Sequence, residues 1–275
     1  MRVHHLNCGS HCPLGGRLFD GRSRGAFGNL CTHCLLVETS QGLVLVDTGY
    51  GLRDVLGTRP RRLPYLWPAI LNVDYRQQDT AIRQVEALGF SARDVRHIVL
   101  THLDFDHSGG IVDFPAARVH VMAEELRSAG GPLRGLVARQ RYRQANWEQV
   151  DDWRTYAAQR GEPWHGFEAV RDLDGLPPEF LMIPLPGHTL GHAGIAVATA
   201  NGWLLHAGDA FLHQSQLAQP PSMPLGLSVY HRIMATDPGA ARQNLARLRE
   251  LAATRADIQV LCSHDTESLN SSQQP

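Results

Sequence analysis

The stretch that most constrains this chain is Thr101-His102-Leu103-Asp104-Phe105-Asp106-His107-Ser108-Gly109-Gly110. It sets two His and two Asp side chains between an apolar run, Ile98-Val99-Leu100, and a pair of glycines. Such a run reads as a buried strand, and the glycines as the close of a turn. Imidazole and carboxylate are nitrogen and oxygen donors suited to Zn²⁺, Mn²⁺ or Fe²⁺. A loop at a strand end can aim alternate side chains into one cavity, so residues 102 and 104 could serve one ion and 106 and 107 another. The plain alternative is a polar turn joining a strand to a helix.

The second half repeats the pattern of a strand that ends in donors. Residues 180–185 lead into Pro186-Gly187-His188-Thr189-Leu190-Gly191-His192. A hairpin about Asn201-Gly202, a strong two-residue turn signal, runs on to Ala207-Gly208-Asp209. A last strand, Ile258-Gln259-Val260-Leu261, delivers Cys262-Ser263-His264-Asp265. A satisfied core histidine explains any one of these positions but not their recurrence at strand ends.

Residues 1–50 read as two or three strands, with a hairpin signal at Ser40-Gln41-Gly42 and a carboxylate turn at Asp47-Thr48-Gly49. Asp47 is read either as a turn cap or as a support for the metal loop. Residues 51–76 carry Pro60, Pro64 and Pro68 among Tyr65, Trp67 and Tyr75, which argues against a long regular element and for a loop or short helix. A helix is expected over 79–89, with Asp79 as N-cap and Ile82, Val85 and Leu88 on one face. Arg118–Met122 reads as a strand and Ala123–Ala129 as a helix. Within a helical insertion at about 123–168, residues 132–168 hold Tyr142, Trp147, Trp153, Tyr156 and Trp164, expected to form mainly a local core. Asp237-Pro238 opens a further helix with Leu245, Leu248 and Leu251 on its apolar side. The polar tail after Leu269 is expected to fray.

The bulk composition narrows the partners. A length of 275 residues allows one or two domains, here read as one spanning 1–275. A net charge of -1 gives no global electrostatic reason to bind nucleic acid or a membrane surface. All 26 basic residues are Arg, from which no function follows. The first residues lack a signal peptide's apolar core, and no apolar run is long enough to span a bilayer. Five cysteines, Cys8, Cys12, Cys31, Cys34 and Cys262, do not resemble a secreted disulfide framework, so the cytoplasm is the default. Cys31-x-x-Cys34 admits a zinc or redox reading, but a buried apolar role suits Cys34 better. His33, at the entry to the same strand, is read as a core histidine or as facing the cavity.

Taken together, these motifs resemble the metallo-β-lactamase superfamily over residues 30–265. The family's His-x-His-x-Asp-His motif stands here as His102-Leu103-Asp104-Phe105-Asp106-His107. Gly187-His188-Thr189-Leu190-Gly191-His192 has the form seen in lactonases and glyoxalase-II-like hydrolases. The resemblance implies an α+β fold, an αββα sandwich of two mixed β-sheets with helices on the outer faces. It implies a first ion at His102, Asp104 and His188, a second at Asp106, His107 and His264, and Asp209 between them. His192 would orient a ligand or touch substrate. Asp104 departs from the family's histidine and hardens the first donor set, so iron or manganese stand beside zinc as cofactors. The flavo-diiron branch also has an acidic residue there.

The chemistry implied is attack by a hydroxide shared between two divalent ions on a small ester, with a lactone as the leading substrate class. Asp106 and Asp209 would serve catalysis, Asp106 by orienting the nucleophile. Substrate contacts are assigned to His192, His33 and Tyr230; Tyr230 and His213 are also candidates for a scaffold role. The alternatives are an oxidative iron enzyme, suggested by Asp104, and a metal-binding scaffold that has lost catalysis. A nuclease is disfavoured by the absence of a basic extension. The family resemblance also admits a homodimer.

Overall fold

The computed structural model describes residues 1–57, 66–132, 135–158, 162–169 and 173–273. The first sheet is built from β1 (Arg2–His11), β2 (Leu30–Thr39), β3 (Gly42–Val46), β4 (Val73–Asp74), β5 (Val95–Val99), β6 (Arg118–Met122) and β7 (Trp153–Tyr156). Its order is β4-β1-β2-β3-β5-β6-β7. The pairs β1–β2 and β2–β3 are antiparallel, while β3–β5, β5–β6 and β6–β7 are parallel. After a small hairpin, β8 (Glu162–Trp164) and β9 (Phe167–Ala169), the second sheet joins β10 (Phe180–Pro184), β11 (Ala193–Thr199), β12 (Gly202–His206) and β13 (Ile258–Leu261) in sequence order. Only β12–β13 is parallel there.

Strand alternation explains the layering. On β2 and β3, Leu35, Val37, Val44 and Val46 face the second sheet's Phe180, Met182, Ile195 and Val197 in one buried cluster. Their neighbours Leu36 and Leu45 point the other way, onto Val85 of a helix, while Leu181, Ile183 and Leu205 meet Leu248 and Leu251 of another. Both sheets are therefore buried on both faces, which is why their strands read as unbroken apolar runs. The result is the αββα sandwich expected from the sequence.

The helices are α1 (Arg17–Asp20), α2 (Leu52–Val55), α3 (Leu66–Leu71), α4 (Ala81–Ala87), α5 (Phe105–Ser108), α6 (Ala123–Gly130), α7 (Gly135–Arg141), α8 (Leu225–Met234), α9 (Pro238–Thr254) and α10 (Thr266–Ser272). Asp237 caps α9, accepting hydrogen bonds from Gly239 N at 2.9 Å and Ala240 N at 3.0 Å, with Pro238 in the first turn. The helix expected from Asp79 instead starts after Thr80, because 77–79 forms a 3₁₀ turn.

Several expectations are corrected. Among the described residues the insertion at 123–168 is helical in α6, α7 and a 3₁₀ turn at Gln144–Asn146, and its second half holds β7 and the β8–β9 hairpin. β7 was hidden because a short strand at a sheet edge, half exposed and rich in polar residues, lacks the apolar run of a central one. The tail after Leu269 continues α10, capped by Asp265 and packed through buried Leu269. Short helices α2 and α3 lie within the stretch 51–76, as a loop with a short helix would have it, while Pro60, Pro64 and Tyr65 lie outside the described residues. No helix among the described residues is long and apolar enough to cross a membrane.

Candidate metal centre

The strands β3, β5, β12 and β13 all end at one edge of the sandwich; the loops after β5, β12 and β13 carry donors, and the loop after β3 carries Asp47. The loops are stitched across the seam: Ala193 N donates to Thr101 O at 2.9 Å and His33 N to Ser263 O at 2.8 Å. Gly208 adopts φ 54°, and a Cβ there would stand 2.7 Å from His192 Nε2, so only glycine lets the chain turn into Asp209.

Asp47 holds the main loop. Its Oδ1 accepts from Thr101 N at 2.8 Å, and its Oδ2 accepts from Thr101 Oγ1 at 2.7 Å and bonds His107 Nδ1 at 2.8 Å. Asp47 itself sits at φ 57°, an uncommon conformation for a residue other than glycine. The α5 turn then places Asp106 and His107 after the extended segment that carries His102 and Asp104.

Glu125, which the sequence did not single out, ties two donor loops together. Its buried carboxylate accepts from Leu103 N at 3.0 Å, Thr189 Oγ1 at 2.6 Å and Gly191 N at 3.2 Å. His192 donates from Nδ1 to Leu185 O at 3.1 Å and accepts from Asp209 N at Nε2, at 2.9 Å. Both of its ring nitrogens are thereby committed. In this arrangement it holds the main chain of Asp209, and neither ring nitrogen is left for a substrate.

These supports bring together every donor expected from the sequence, all of them buried: His102, Asp104, Asp106, His107, His188, Asp209 and His264. Asp209 is central, with Oδ1 3.4 Å from His107 Nε2, and Oδ2 3.2 Å from His264 Nε2 and 3.5 Å from His188 Nε2. Asp104 Oδ2 lies 3.0 Å from His188 Nε2 and 3.5 Å from His102 Nε2. Asp106 Oδ2 lies 3.7 Å from His264 Nε2 and 4.0 Å from His107 Nε2.

The tautomers follow from the outer contacts. His107 Nδ1 faces the Asp47 carboxylate and His264 Nδ1 faces Cys31 O at 2.7 Å, so each donates from Nδ1 and turns the Nε2 lone pair inward. The Nε2 atoms of His102 and His107 and Oδ1 of Asp209 are buried without a hydrogen-bond partner. Buried polar atoms are seldom left so, and inward lone pairs among carboxylates fit divalent cations.

Charge reinforces this. Burial pushes Asp209 up, but His264 and His107 hold it well below the usual carboxylate range. Burial likewise opposes ionisation of Asp104, yet the Arg141 guanidinium keeps it well below that range. Burial lowers His102 to about 4, keeping its ring neutral.

Two residues at the site carried no signal in the sequence. His11, at the end of β1, has Nε2 3.7 Å from Asp106 Oδ2 and 2.9 Å from Tyr50 Oη. It groups with Asp106 and His264 as potential donors; the other groups are His102-His107-Asp209 and His102-Asp104-His188. Arg141, at the end of α7, is almost fully buried and sets Nε 3.1 Å from Asp104 Oδ1. A lone histidine in a strand and one arginine among 26 are not distinctive in a sequence.

His33 is placed elsewhere. Its ring contacts His5 at 2.9 Å and packs edge-on to His206, away from the donors. This corrects its reading as a cavity residue: it is one side of a buried histidine cluster. Tyr230, on α8, packs with Leu212 and Met234 beside the centre, and burial followed by the Asp106 and Asp209 charges holds its phenol well above its usual range. His213 caps the 3₁₀ turn after it and contacts Ser215, a scaffold role. The buried thiols pack as apolar groups: burial pushes Cys31 up to about 12, and no donor group among the described residues includes a cysteine.

Beside Arg141 lies a cavity of about 360 Å³, lined by Val137, Tyr142, Leu190, Ile233 and Met234.

Comparisons with known proteins give the family and the fold. The family model described as "Metallo-beta-lactamase superfamily" matches residues 30–264. A Mycobacterium tuberculosis protein named a probable metallo-hydrolase is 41% identical over 269 residues, covering 97% of this chain and 81% of that one. An N-acyl homoserine lactonase of Bacillus thuringiensis is 24% identical over 252 residues, 88% of this chain and 84% of its own. Among solved structures, an N-acyl homoserine lactone hydrolase with N-hexanoyl-L-homoserine at its catalytic metal centre superposes with a TM-score of 0.72 at 19% identity, covering 98% and 95% of the two chains. A dizinc quorum-quenching lactonase gives 0.62 at 18% identity over 95% and 86%.

Proposed function

The chain belongs to the metallo-beta-lactamase superfamily and is a metallo-hydrolase, and from that premise we propose that it opens lactones, or closely related small esters, at a centre of two divalent ions. The observation that carries this reading is the convergence of His102, His107, His188 and His264 on Asp209, with the Nε2 atoms of His102 and His107 turned inward without a hydrogen-bond partner. The first ion would be held by His102, Asp104 and His188, the second by Asp106, His107 and His264, with Asp209 shared. Zinc is the leading metal, since a lactonase with the same fold is dizinc; Asp104 also suits iron or manganese. Such ions, when bound, make a water nucleophilic near neutral pH and polarise a carbonyl oxygen.

The chain's own residues do the rest. Asp209 spans the donors and is oriented by His192 through its backbone N–H. Asp106, a carboxylate whose burial pushes it up, stands where it can hold or pass a proton. Tyr230 keeps its phenolic proton and is a hydrogen-bond donor for the oxygen of a ring-opening ester. The apolar wall of Val137, Leu190, Ile233 and Met234 suits an aliphatic substituent on the substrate. The lactonase names among the relatives favour hydrolysis over the oxidative alternative.

The test is a panel of acyl homoserine lactones, simple lactones, aryl esters, thioesters and phosphotriesters, followed by proton release. The expected result is metal-dependent opening of lactones, faster with an acyl chain than without. Absence of metal-dependent turnover on every class would overturn the proposal.

A further inference from the structure

The two halves of the centre are not equivalent, and the difference lies in a residue outside the donor set. The Arg141 guanidinium is fixed by main-chain and hydroxyl acceptors that owe nothing to a metal. Nη1 donates to His188 O at 2.8 Å and to Thr236 Oγ1 at 3.0 Å. Nη2 donates to Met234 O at 2.9 Å and reaches His188 Nε2 at 3.2 Å, while Nε faces Asp104 Oδ1 at 3.1 Å. A backbone bridge between Asp104 and Tyr142 keeps the end of α7 against the donor loop.

The contrast with His102 and His107 is direct. Those two turn an unpartnered Nε2 toward the centre, but the Nε2 of His188 is shared between Asp104 Oδ2 at 3.0 Å and Arg141 Nη2 at 3.2 Å, and it is Nδ1 of His188 that lacks a partner. A lone pair that accepts an N–H cannot at the same time bind a cation. Arg141 also places one positive charge beside Asp104, offsetting the carboxylate that replaces the family's histidine. On the other side, His11 groups with Asp106 and His264, its Nε2 also meeting the Tyr50 hydroxyl at 2.9 Å. The first site therefore has a resident cation, and the second is faced by a neutral imidazole instead.

We propose that Arg141 sets the first site as a weak, exchangeable one, occupied well after the site built on Asp106, His107 and His264. This rests on the two-ion reading above and concerns which ion stays. Charge decides the direction: a fixed guanidinium in contact with Asp104 and His188 opposes a divalent cation there, whereas its contacts do not include Asp106, His107 or His264.

The experiment is zinc and cobalt(II) titration of metal-stripped full-length protein against a competing chelator, with ion content per chain measured after dialysis. Wild type, Arg141→Gln and Arg141→Lys are compared, each checked for folding by circular dichroism. Wild type is expected to retain one ion and to take a second only at excess. Arg141→Gln is expected to tighten the weaker site roughly ten- to a hundredfold, with a second set of cobalt absorption bands at stoichiometric metal. Arg141→Lys keeps the charge and is expected to stay weak. Two equally tight ions in wild type, or loss of an ion in both variants, would overturn the proposal, the latter making Arg141 a clamp for Asp104. Either result leaves the hydrolase reading standing. Failure of wild type to bind any ion would overturn both. If Arg141→Gln does not fold, Arg141→Lys and the wild-type stoichiometry still decide.

Discussion

Asp47 is not one of the expected donors, yet three hydrogen bonds to the donor loop end on its carboxylate. Burial pushes its carboxyl up, but His107 more than offsets this and holds it below the usual range. Residues that orient metal-binding imidazoles typically matter about ten- to a hundredfold for affinity or activity. Asp47→Ala is therefore expected to weaken zinc binding by about that factor while the protein stays folded. An affinity within about twofold of wild type would show that the His107 tautomer is set by something else. Tyr230 makes a different claim. If it donates to the substrate, Tyr230→Phe should lower kcat by about tenfold or more with zinc content unchanged. Equal loss of metal and activity would instead mark it as scaffold. Residues of this kind are hard to read from a sequence. Donor residues repeat at strand ends, but His11 and Arg141 reach the centre only because β1 and α7 happen to end beside it.

At the scale of elements, the edge of the first sheet carries a polar ladder remote from the centre. His97 on β5, His120 on β6 and Tyr156 on β7 are linked in series, His97 Nδ1 to His120 Nε2 at 2.8 Å and His120 Nδ1 to Tyr156 Oη at 2.8 Å. Burial, then the nearby His97, lowers His120 to about 3. Between that value and the unfolded value of 6.5 the unfolded chain binds the extra proton, so this group costs stability as pH falls through that window and nothing above it. His120→Gln is expected to flatten the dependence of the urea midpoint on pH between about 6.5 and 4, even if it lowers stability at pH 8. An unchanged slope would contradict the burial argument. The same edge explains what could not be read in the chain. Central strands such as β2, β3 and β11 announce themselves as apolar runs, and α9 by Asp237-Pro238. β7 and the β8–β9 hairpin are short and partly exposed, and β7 finds its partner, β6, only across the intervening α6 and α7.

For the whole molecule, the centre lies on the seam between the sheets, drawing Asp47 and the 102–107 loop from one and Asp209 and His264 from the other. Ions held there would cross-link the two halves, so metal binding and folding are coupled. With zinc at a thousandfold excess over its dissociation constant, the loaded protein should be more stable than the chelated one by about 4 kcal/mol. Thermal unfolding with and without chelator checks this, and identical midpoints would mean that the donors do not bind the ion in the folded state. This seam was the most legible part of the chain. A donor loop after each of several apolar strands implies that those strands end together, and the structure brings their donors into one cluster. The identity of the substrate was less legible, because the apolar wall comes mostly from α7 and α8, joined by Leu190 of the donor loop, and apolar side chains carry no chemical signature.

The most direct measurement is lactone opening by protein stripped of metal, followed as zinc is returned, with elemental analysis on the same samples. The account predicts background rates without metal and recovery that saturates at a small whole number of zinc ions per chain. Undiminished turnover by protein in which no metal is found would contradict it.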